Sequence, residues 1–305
     1  MPTLDFYGFT KCPKGIRGFG PTTGQQPSSN RLTIWHLNIA GLWTHLDHFK
    51  DSIDFSIERP DIIGLWETKL ASDPETGLPP DIKGYRSIFN NCRSNSGGTL
   101  IYYRENLRAL PIESKATGEN KHRITTAKIG NMLCTEAYAP VSSATETERE
   151  SFFATLLATI QDAKSKFPNW STVVIGDLNA HIAGWYSGRT DSSGRMVEQV
   201  ARQWGLRITP NNEPTFCRPG KLSWIDYVLT DQHSTSDLLE LRVCDKMKTG
   251  SDHFTIATYF RKDVLTLTKE ENSKSNTKIP VHRLQNPKIK KAYLEMLRKQ
   301  WESSE

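Results

Sequence analysis

Apolar positions recur along the chain with two periods, and the changes between them divide it into elements. "LTIWHLN" (residues 32–38) reads as an interior strand, whereas "GLWTHLDHFKDSIDFSIERP" carries Leu42, Leu46, Phe49, Ile53 and Ile57 at helical spacing before Pro60 stops it. "DIIGLWE" returns to a strand, and "SIFN", "GTLIYY", "ITTAKIG" and "MLCTEAY" follow as strands with Gly, Asn and Ser between them. The clearest helix is "TETERESFFATLLATIQDAKSKF". It opens with Thr145 and Glu148 at capping-box spacing and presents Phe152, Leu156, Ile160, Ala163 and Phe167 along one face. "STVVIGD" is then a buried strand, "GRMVEQVARQWG" an amphipathic helix stopped by Gly205, and "WIDYVLT" and "FTIATYF" late strands. No internal repeat occurs, so the pattern predicts one mixed α/β body over residues 32–260.

Two segments fall outside that body. Residues 1–31 are rich in Gly, Pro, Thr and Ser and predict irregular structure. Residues 261–305 predict a polar linker followed by a helix with Ile289, Tyr293, Leu297 and Trp301 on one side.

Composition narrows the class without naming an activity. A chain of 305 residues with 36% apolar and 24% charged residues can bury a sizeable core, which excludes a disordered or fibrous protein. No run of about 18 apolar residues and no signal-type apolar stretch occurs, so neither a membrane span nor secretion is expected. The five cysteines are scattered without metal-type spacing, which fits free thiols in a reducing interior. The net charge of +5 resides in the tail: residues 261–305 hold eleven Lys/Arg against six Asp/Glu. Such a tail suits a solvated linker or an arm that meets phosphates, and charge alone leaves both open.

The candidate chemistry gathers at strand ends, where α/β sheets build their sites. Asn38 closes the first strand, Glu67 the second, and "VVIGDLNAH" runs a buried strand into Asp177, Asn179 and His181. A Gly-Asp-x-Asn stretch can be a simple turn, with Asp and Asn bonding their own backbone. Asp226 lies within apolar "WIDYV", and "GSDHF" places Asp252 and His253 just before the last strand. A carboxylate among apolar residues is costly to bury unless it is paired or bound to metal, and histidine is its natural partner.

These residues carry a resemblance. "LNIAGL", "GLWETKL", "EAYAPV", "VVIGDLNAH", "WIDYVLT" and "GSDHFTI" resemble, in order and spacing, the motifs of the endonuclease/exonuclease/phosphatase superfamily. Within it, "GDLNAHIAGWYSG", "NNEPTF" and "SWIDYVLT" are most similar to the apurinic-type endonuclease domain of non-LTR (LINE-type) retrotransposons. The resemblance implies a four-layered α/β sandwich like that of DNase I and exonuclease III: two central mixed sheets flanked by helices, with a site at one edge. It also implies roles. Glu67 would ligate Mg²⁺, for which Mn²⁺ would substitute, with Asn38 and Asp252 helping to fix the metal, oxygen donors that suit a hard cation. Tyr138 would bond the scissile phosphate, Asp177 would orient or deprotonate water, and Asn179 would hold the phosphate. His253, buttressed by Asp226, would stabilise the transition state or share the proton work.

DNA contact would come from loops 90–98 and 209–223, with Arg93, Arg218 and Lys221, from Thr215 and Ser223 in the "T…SxID" pattern, and from His181. The chain departs from repair relatives at Ala40, where they carry an acid, which puts a second metal in doubt. It departs again at Trp224, whose place two residues before Asp226 would turn it to that residue's own face.

The expected function is metal-dependent nicking of double-stranded DNA in the nucleus. The nick would leave a 3′-OH primer for a reverse transcriptase domain of the same polyprotein, of which this chain would be one domain. An abasic-site repair endonuclease or phosphatase of the same superfamily is the alternative, and a catalytically dead binding scaffold is a third reading.

Overall fold

The computed structural model describes residues 31–71, 77–92, 96–113, 118–184, 188–209, 213–244 and 249–261. The chain divides into two units, Met1–Thr266 and Leu267–Glu305, and all described residues belong to the first. The irregular start and the basic tail read from the sequence lie outside the described residues, apart from Arg31 and Arg261.

The first half runs β1 (Arg31–Asn38), α1 (Leu46–Asp54), β2 (Ile62–Trp66), β3 (Tyr85–Asn90), β4 (Thr99–Arg104), β5 (Ala109–Ile112), β6 (Ile124–Ile129) and β7 (Met132–Tyr138). The second runs α2 (Glu146–Lys166), β8 (Ser171–Asp177), α3 (Ser192–Gln203), β9 (Arg207–Ile208), β10 (Phe216–Arg218), β11 (Lys221–Ser223), β12 (Asp226–Thr230), α4 (Gln232–Asp237), β13 (Leu238–Cys244) and β14 (Thr255–Arg261). The strands form two six-stranded mixed sheets, ordered β13-β14-β1-β2-β4-β3 and β5-β6-β7-β8-β12-β9, with β10-β11 as a separate hairpin. Each sheet contains one parallel pair, β1 with β2 and β7 with β8. A parallel pair needs a crossover, which α1 supplies in one case and α2 in the other.

The expected four-layered sandwich is the observed fold. Alternation along β1 sends Leu32 and Ile34 toward the second sheet, where they share a core with Ala127, Cys134, Val173 and Ile175. The opposite faces are covered as well. Trp35, Leu37 and Ile63 pack with Phe49 and Ile53 of α1, while Val174, Tyr227 and Leu229 pack with Phe152, Leu156, Val197 and Val200 of α2 and α3. Burial on both faces explains why the central strands read as continuous apolar runs. No described helix is long and apolar enough to cross a membrane.

The first helix is shorter than the periodicity predicts. Leu42 is fully buried, but in a turn whose N–H donates to Thr68 O at 2.9 Å, so a loop contact fixes it. Ile57 lies beyond the helix and is 66% exposed. Tertiary contact sets the place of Leu42, and Ile57 lies past the helix end at Asp54. The pattern also missed β5, which contains Pro111; this strand pairs only with β6, so it lies at an edge, where a missing N–H is tolerated. It missed α4 and β13 too.

The long helix begins as its sequence indicates. Thr145 Oγ1 accepts from Glu148 N, and Glu148 Oε2 accepts from Thr145 N at 2.8 Å. Thr145→Ala removes one half of this reciprocal cap, and chemical denaturation is expected to show a loss of about 1 kcal/mol.

Candidate active site

The two sheets bring their strand ends together along one rim. Asn38 ends β1 and Glu67 follows β2 in the first sheet, while Tyr138 ends β7 and Asp177 ends β8 in the second. Register then builds a row, because Tyr138 and Asp226 are the two cross-strand partners of Asp177. Asn38 Nδ2 spans the gap between the sheets and donates to Asp177 Oδ2 at 3.0 Å.

Backbone conformation marks the same rim. Among the described residues, the non-glycine positions with left-handed backbone are Ala40, Glu67, Lys69 and Asn179, with φ between 44° and 55°. Each costs on the order of 1 kcal/mol or more and persists only where its surroundings over-determine it. At Asn179 the determinants are visible: its N–H donates to Asp177 Oδ1 at 3.1 Å and its Nδ2 to Ala139 O at 3.0 Å. The Gly-Asp-x-Asn turn is therefore real, and it also serves the site, since it satisfies one oxygen of Asp177 and leaves the other facing Asn38 and His253.

His253 enters from the segment before β14. Its Nδ1 lies 3.0 and 3.1 Å from the two carboxylate oxygens of Asp226, and its Nε2 lies 3.6 Å from Asp177 Oδ2. Burial disfavours the charged ring, but the negative charges of Asp226 and Asp177 outweigh it and lift its pKa to about 9. Asp177 moves upward as well. Its burial is the larger cause and the neighbouring Asp226 the next, with His253, Asn38 and the Asn179 N–H opposing them. Burial, followed by the charges of Glu67 and Asp177, pushes the Tyr138 hydroxyl well above its ordinary range, and this hydroxyl hydrogen-bonds Glu67.

The donor set fits a hard divalent cation. Glu67 is a partly open carboxylate at the rim, paired with Lys69 Nζ at 3.2 Å, and Asp177, Asp226 and His253 place one ligand atom each within 4.8 Å of one another. Within that trio His253 is already hydrogen-bonded to Asp226 and Asp177 to Asn38 and the Asn179 N–H, so the more open carboxylate of Glu67 is the better-suited ligand. Asn38 Oδ1 is occupied by the Ala40 N–H at 3.0 Å, and Asp252 is bonded by Arg218 Nε at 2.6 Å, so both residues have protein partners.

The expected DNA contacts need correction. Thr215 is fully buried, and its Oγ1 accepts from Ile225 N at 3.3 Å and Asp226 N at 3.2 Å. It braces the strand that carries Asp226 and does not face solvent. Ser223 is also buried, with its carbonyl bonded to Thr215 N at 3.0 Å. Arg218 and Lys221 remain exposed on the β10-β11 hairpin, near the Phe216 ring. His181 is half-buried, and its carbonyl accepts from Asp191 N at 3.0 Å. Arg93 lies outside the described residues. Trp224 is buried but precedes β12, so strand alternation does not govern its direction.

Several residues at the rim were not singled out from the sequence. Ser251 Oγ donates to Asn38 O at 2.5 Å and accepts from His253 N at 3.1 Å, tying the histidine to the first strand. Its place inside "GSDHF" was the available signal. Lys69 reaches Ala40 O at 3.2 Å, Arg123 stacks 5.2 Å over the Tyr138 ring, and Phe216 packs edge-on to His253 at 5.0 Å. No local pattern announces these, because their partners are distant in sequence.

Comparison with known proteins agrees with this fold. Residues 132–257 match the endonuclease-reverse transcriptase family. The chain is also 24% identical over 225 residues to the RNA-directed DNA polymerase from mobile element jockey of Drosophila funebris, which covers 70% of this chain. It spans only 22% of that relative's length. Among solved structures, the AP endonuclease of Leishmania major superposes with a TM-score of 0.64 at 16% identity, covering 81% of this chain and 93% of that one. The endonuclease domain of TRAS1, a telomere-specific non-LTR retrotransposon, gives 0.59 at 16% identity, covering 77% of this chain and 100% of that one. A 3′ phosphatase from Neisseria gives 0.62 at 19% identity, covering 75% and 99%. The chain thus carries the fold shared by these endonuclease and phosphatase structures, and residues 132–257 match the endonuclease-reverse transcriptase family model. The described cysteines Cys134 and Cys217 are free thiols.

Asp177 and His253 generate a pH-dependent stability. The folded pKa of Asp177 lies above its ordinary 3.8, so the cost of its buried charge is complete above the raised value and vanishes as pH falls toward 3.8. In EDTA, Asp177→Asn is expected to raise stability at pH 8 by about 1 kcal/mol or more, with the gain shrinking as pH falls below neutrality. Denaturation at pH 8 and pH 5 checks this. Thr215→Val, which leaves two backbone N–H groups without their acceptor, is expected to cost about 1–3 kcal/mol in the same assay.

Proposed function

We propose that the chain is a Mg²⁺-dependent endonuclease that nicks double-stranded DNA and leaves a 3′-OH. The observation that carries this reading is the convergence of Glu67 and Asn38 from one sheet with Tyr138, Asp177 and Asp226 from the other, closed by His253.

In this mechanism water attacks phosphorus, the P–O3′ bond breaks, and the 3′ oxygen takes up a proton. Asp177, fixed by Asn38 and the Asn179 N–H, orients the water and accepts its proton; the upward shift of its pKa makes it a better base than an exposed carboxylate. His253 holds its proton at neutral pH and, clamped by Asp226, faces the phosphoryl oxygens as a cationic donor. Tyr138 and Asn179 position the phosphate. Glu67 would hold a Mg²⁺ ion, which supplies charge neutralisation at the phosphate and the leaving oxygen, and Mn²⁺ would serve in its place. Arg218 and Lys221 on the hairpin would meet the DNA backbone.

The jockey relative, an RNA-directed DNA polymerase, supports a reverse transcriptase domain in the same polyprotein; the new 3′-OH would serve as its primer, and the nucleus is the compartment this role calls for. A supercoiled plasmid tests the core of the proposal: wild-type protein with Mg²⁺ converts it to open circles, and EDTA abolishes conversion. Glu67→Ala, Asp177→Ala and His253→Ala should each lower the rate at least ~100-fold, with folding retained by circular dichroism. Efficient cleavage of abasic duplex with no nicking of intact DNA would replace this reading with the repair one.

A further inference from the structure

Two residues below the rim lies a polar contact that the chemistry above does not use. His36 and Glu136 are both fully buried, and His36 Nδ1 is 3.1 Å from Glu136 Oε1. The first is on β1, the second on β7, so the contact joins the two sheets. His36 is also in contact with its own sheet, through Thr258 Oγ1 at 3.4 Å from its Nε2 and the Trp66 ring stacked at 6.3 Å. On the other side Glu136 Oε1 receives the Cys134 thiol at 3.5 Å, while Oε2 has no hydrogen-bond partner among the described residues.

The space for this carboxylate is made by glycine. His36 pairs in register with Gly64 of β2, and a Cβ on Gly64 would stand 2.2 Å from the Glu136 carboxyl group. Gly64 has no left-handed backbone that would demand glycine, so room for Glu136 is the reason on the page for its identity.

Stability does not explain the arrangement. A buried polar pair with one oxygen unsatisfied is worth no more than well-packed apolar residues of similar volume. Position does explain it. From this contact β1 runs two residues to Asn38, β7 runs two residues to Tyr138, and β2 runs from Gly64 three residues to Glu67. Apolar packing between sheets is non-directional, whereas a hydrogen-bonded pair admits one alignment. We propose that His36 and Glu136 are positioning residues: their contact fixes the alignment of the two sheets and thereby the span between Asn38 and Glu67 on one side and Tyr138 and Asp177 on the other.

The proposal rests on the nicking reading for its catalytic consequence, and its test separates the two. His36→Phe combined with Glu136→Leu replaces the pair by apolar residues. The double variant is expected to melt at or above the wild-type temperature and to bind duplex DNA within threefold of wild type. Its kcat for plasmid nicking should fall tenfold or more. Independently of activity, NMR should show the Asn38 side-chain amide, which donates across the sheets to Asp177, exchanging with solvent at least tenfold faster. Glu136→Gln, which keeps an acceptor for His36, should stay within threefold of wild type in every readout.

Should the double variant not fold, Gly64→Ala displaces the same carboxylate and is expected to give the same loss of kcat and amide protection with unchanged DNA affinity. Wild-type kcat and amide exchange in a folded double variant, or in Gly64→Ala, would overturn the proposal. A wild-type protein that nicks nothing would sink the functional reading alone, and the amide exchange would still decide the role of the pair.

Discussion

Asp177 is a carboxylate held between two sheets with almost no exposure, and the rest of the site follows from what is needed to keep it there. An isolated buried charge is prohibitively unfavourable. The protein meets it with a carboxamide from the opposite sheet, a backbone N–H from its own turn and an imidazole from a third segment. Each of these requires a strand to end at one height. The fold supplies that by placing the ends of β1, β2, β7 and β8 along a common rim.

The same constraint sets the electrostatics. Asp226 stands opposite Asp177 in the β8-β12 register, so two carboxylates share a region that water hardly reaches. Their repulsion is relieved by the proton on His253, which raises the histidine, while burial and the charge of Asp226 outweigh His253 and still move Asp177 upward. A divalent cation at the rim would relieve it further. Groups whose environments drive their protonation in this way are suited to proton transfer near neutral pH, and the folded state bears a stability cost for holding them.

Rigidity around the site is built from unlike parts. Left-handed residues at Ala40, Glu67, Lys69 and Asn179 end the strands sharply, Ser251 anchors the histidine segment to β1, and Thr215 ties the hairpin root to Asp226. Phe254 N to Thr215 O at 2.7 Å and Cys217 N to Asp252 O at 2.8 Å join the hairpin to the histidine segment. The hairpin that presents Arg218 and Lys221 is therefore bonded directly to Asp252 and Phe254, the chain neighbours of His253, so it is an element fixed to the site.

Local pattern alone determined the mixed α/β class, while the four layers came from the motif resemblance: central strands read as unbroken apolar runs, α2 announced its own cap at Thr145 and Glu148, and polar residues at strand ends marked the rim. Those signals survive in sequence because each depends on neighbours a few residues away. Tertiary structure decided what depended on distant partners. Leu42 is buried because Thr68 receives its N–H and not through helical period, and Ile57 is exposed although it fits that period. Thr215 matched a DNA-contact pattern yet faces inward, because the backbone N–H groups of Ile225 and Asp226 need an acceptor there. His36 and Glu136 are separated by 100 positions and look unremarkable in "TIWHLN" and "CTEAY". Only the face-to-face packing of two sheets makes them a pair, since a contact between residues so far apart leaves no period and no spacing for a sequence to show.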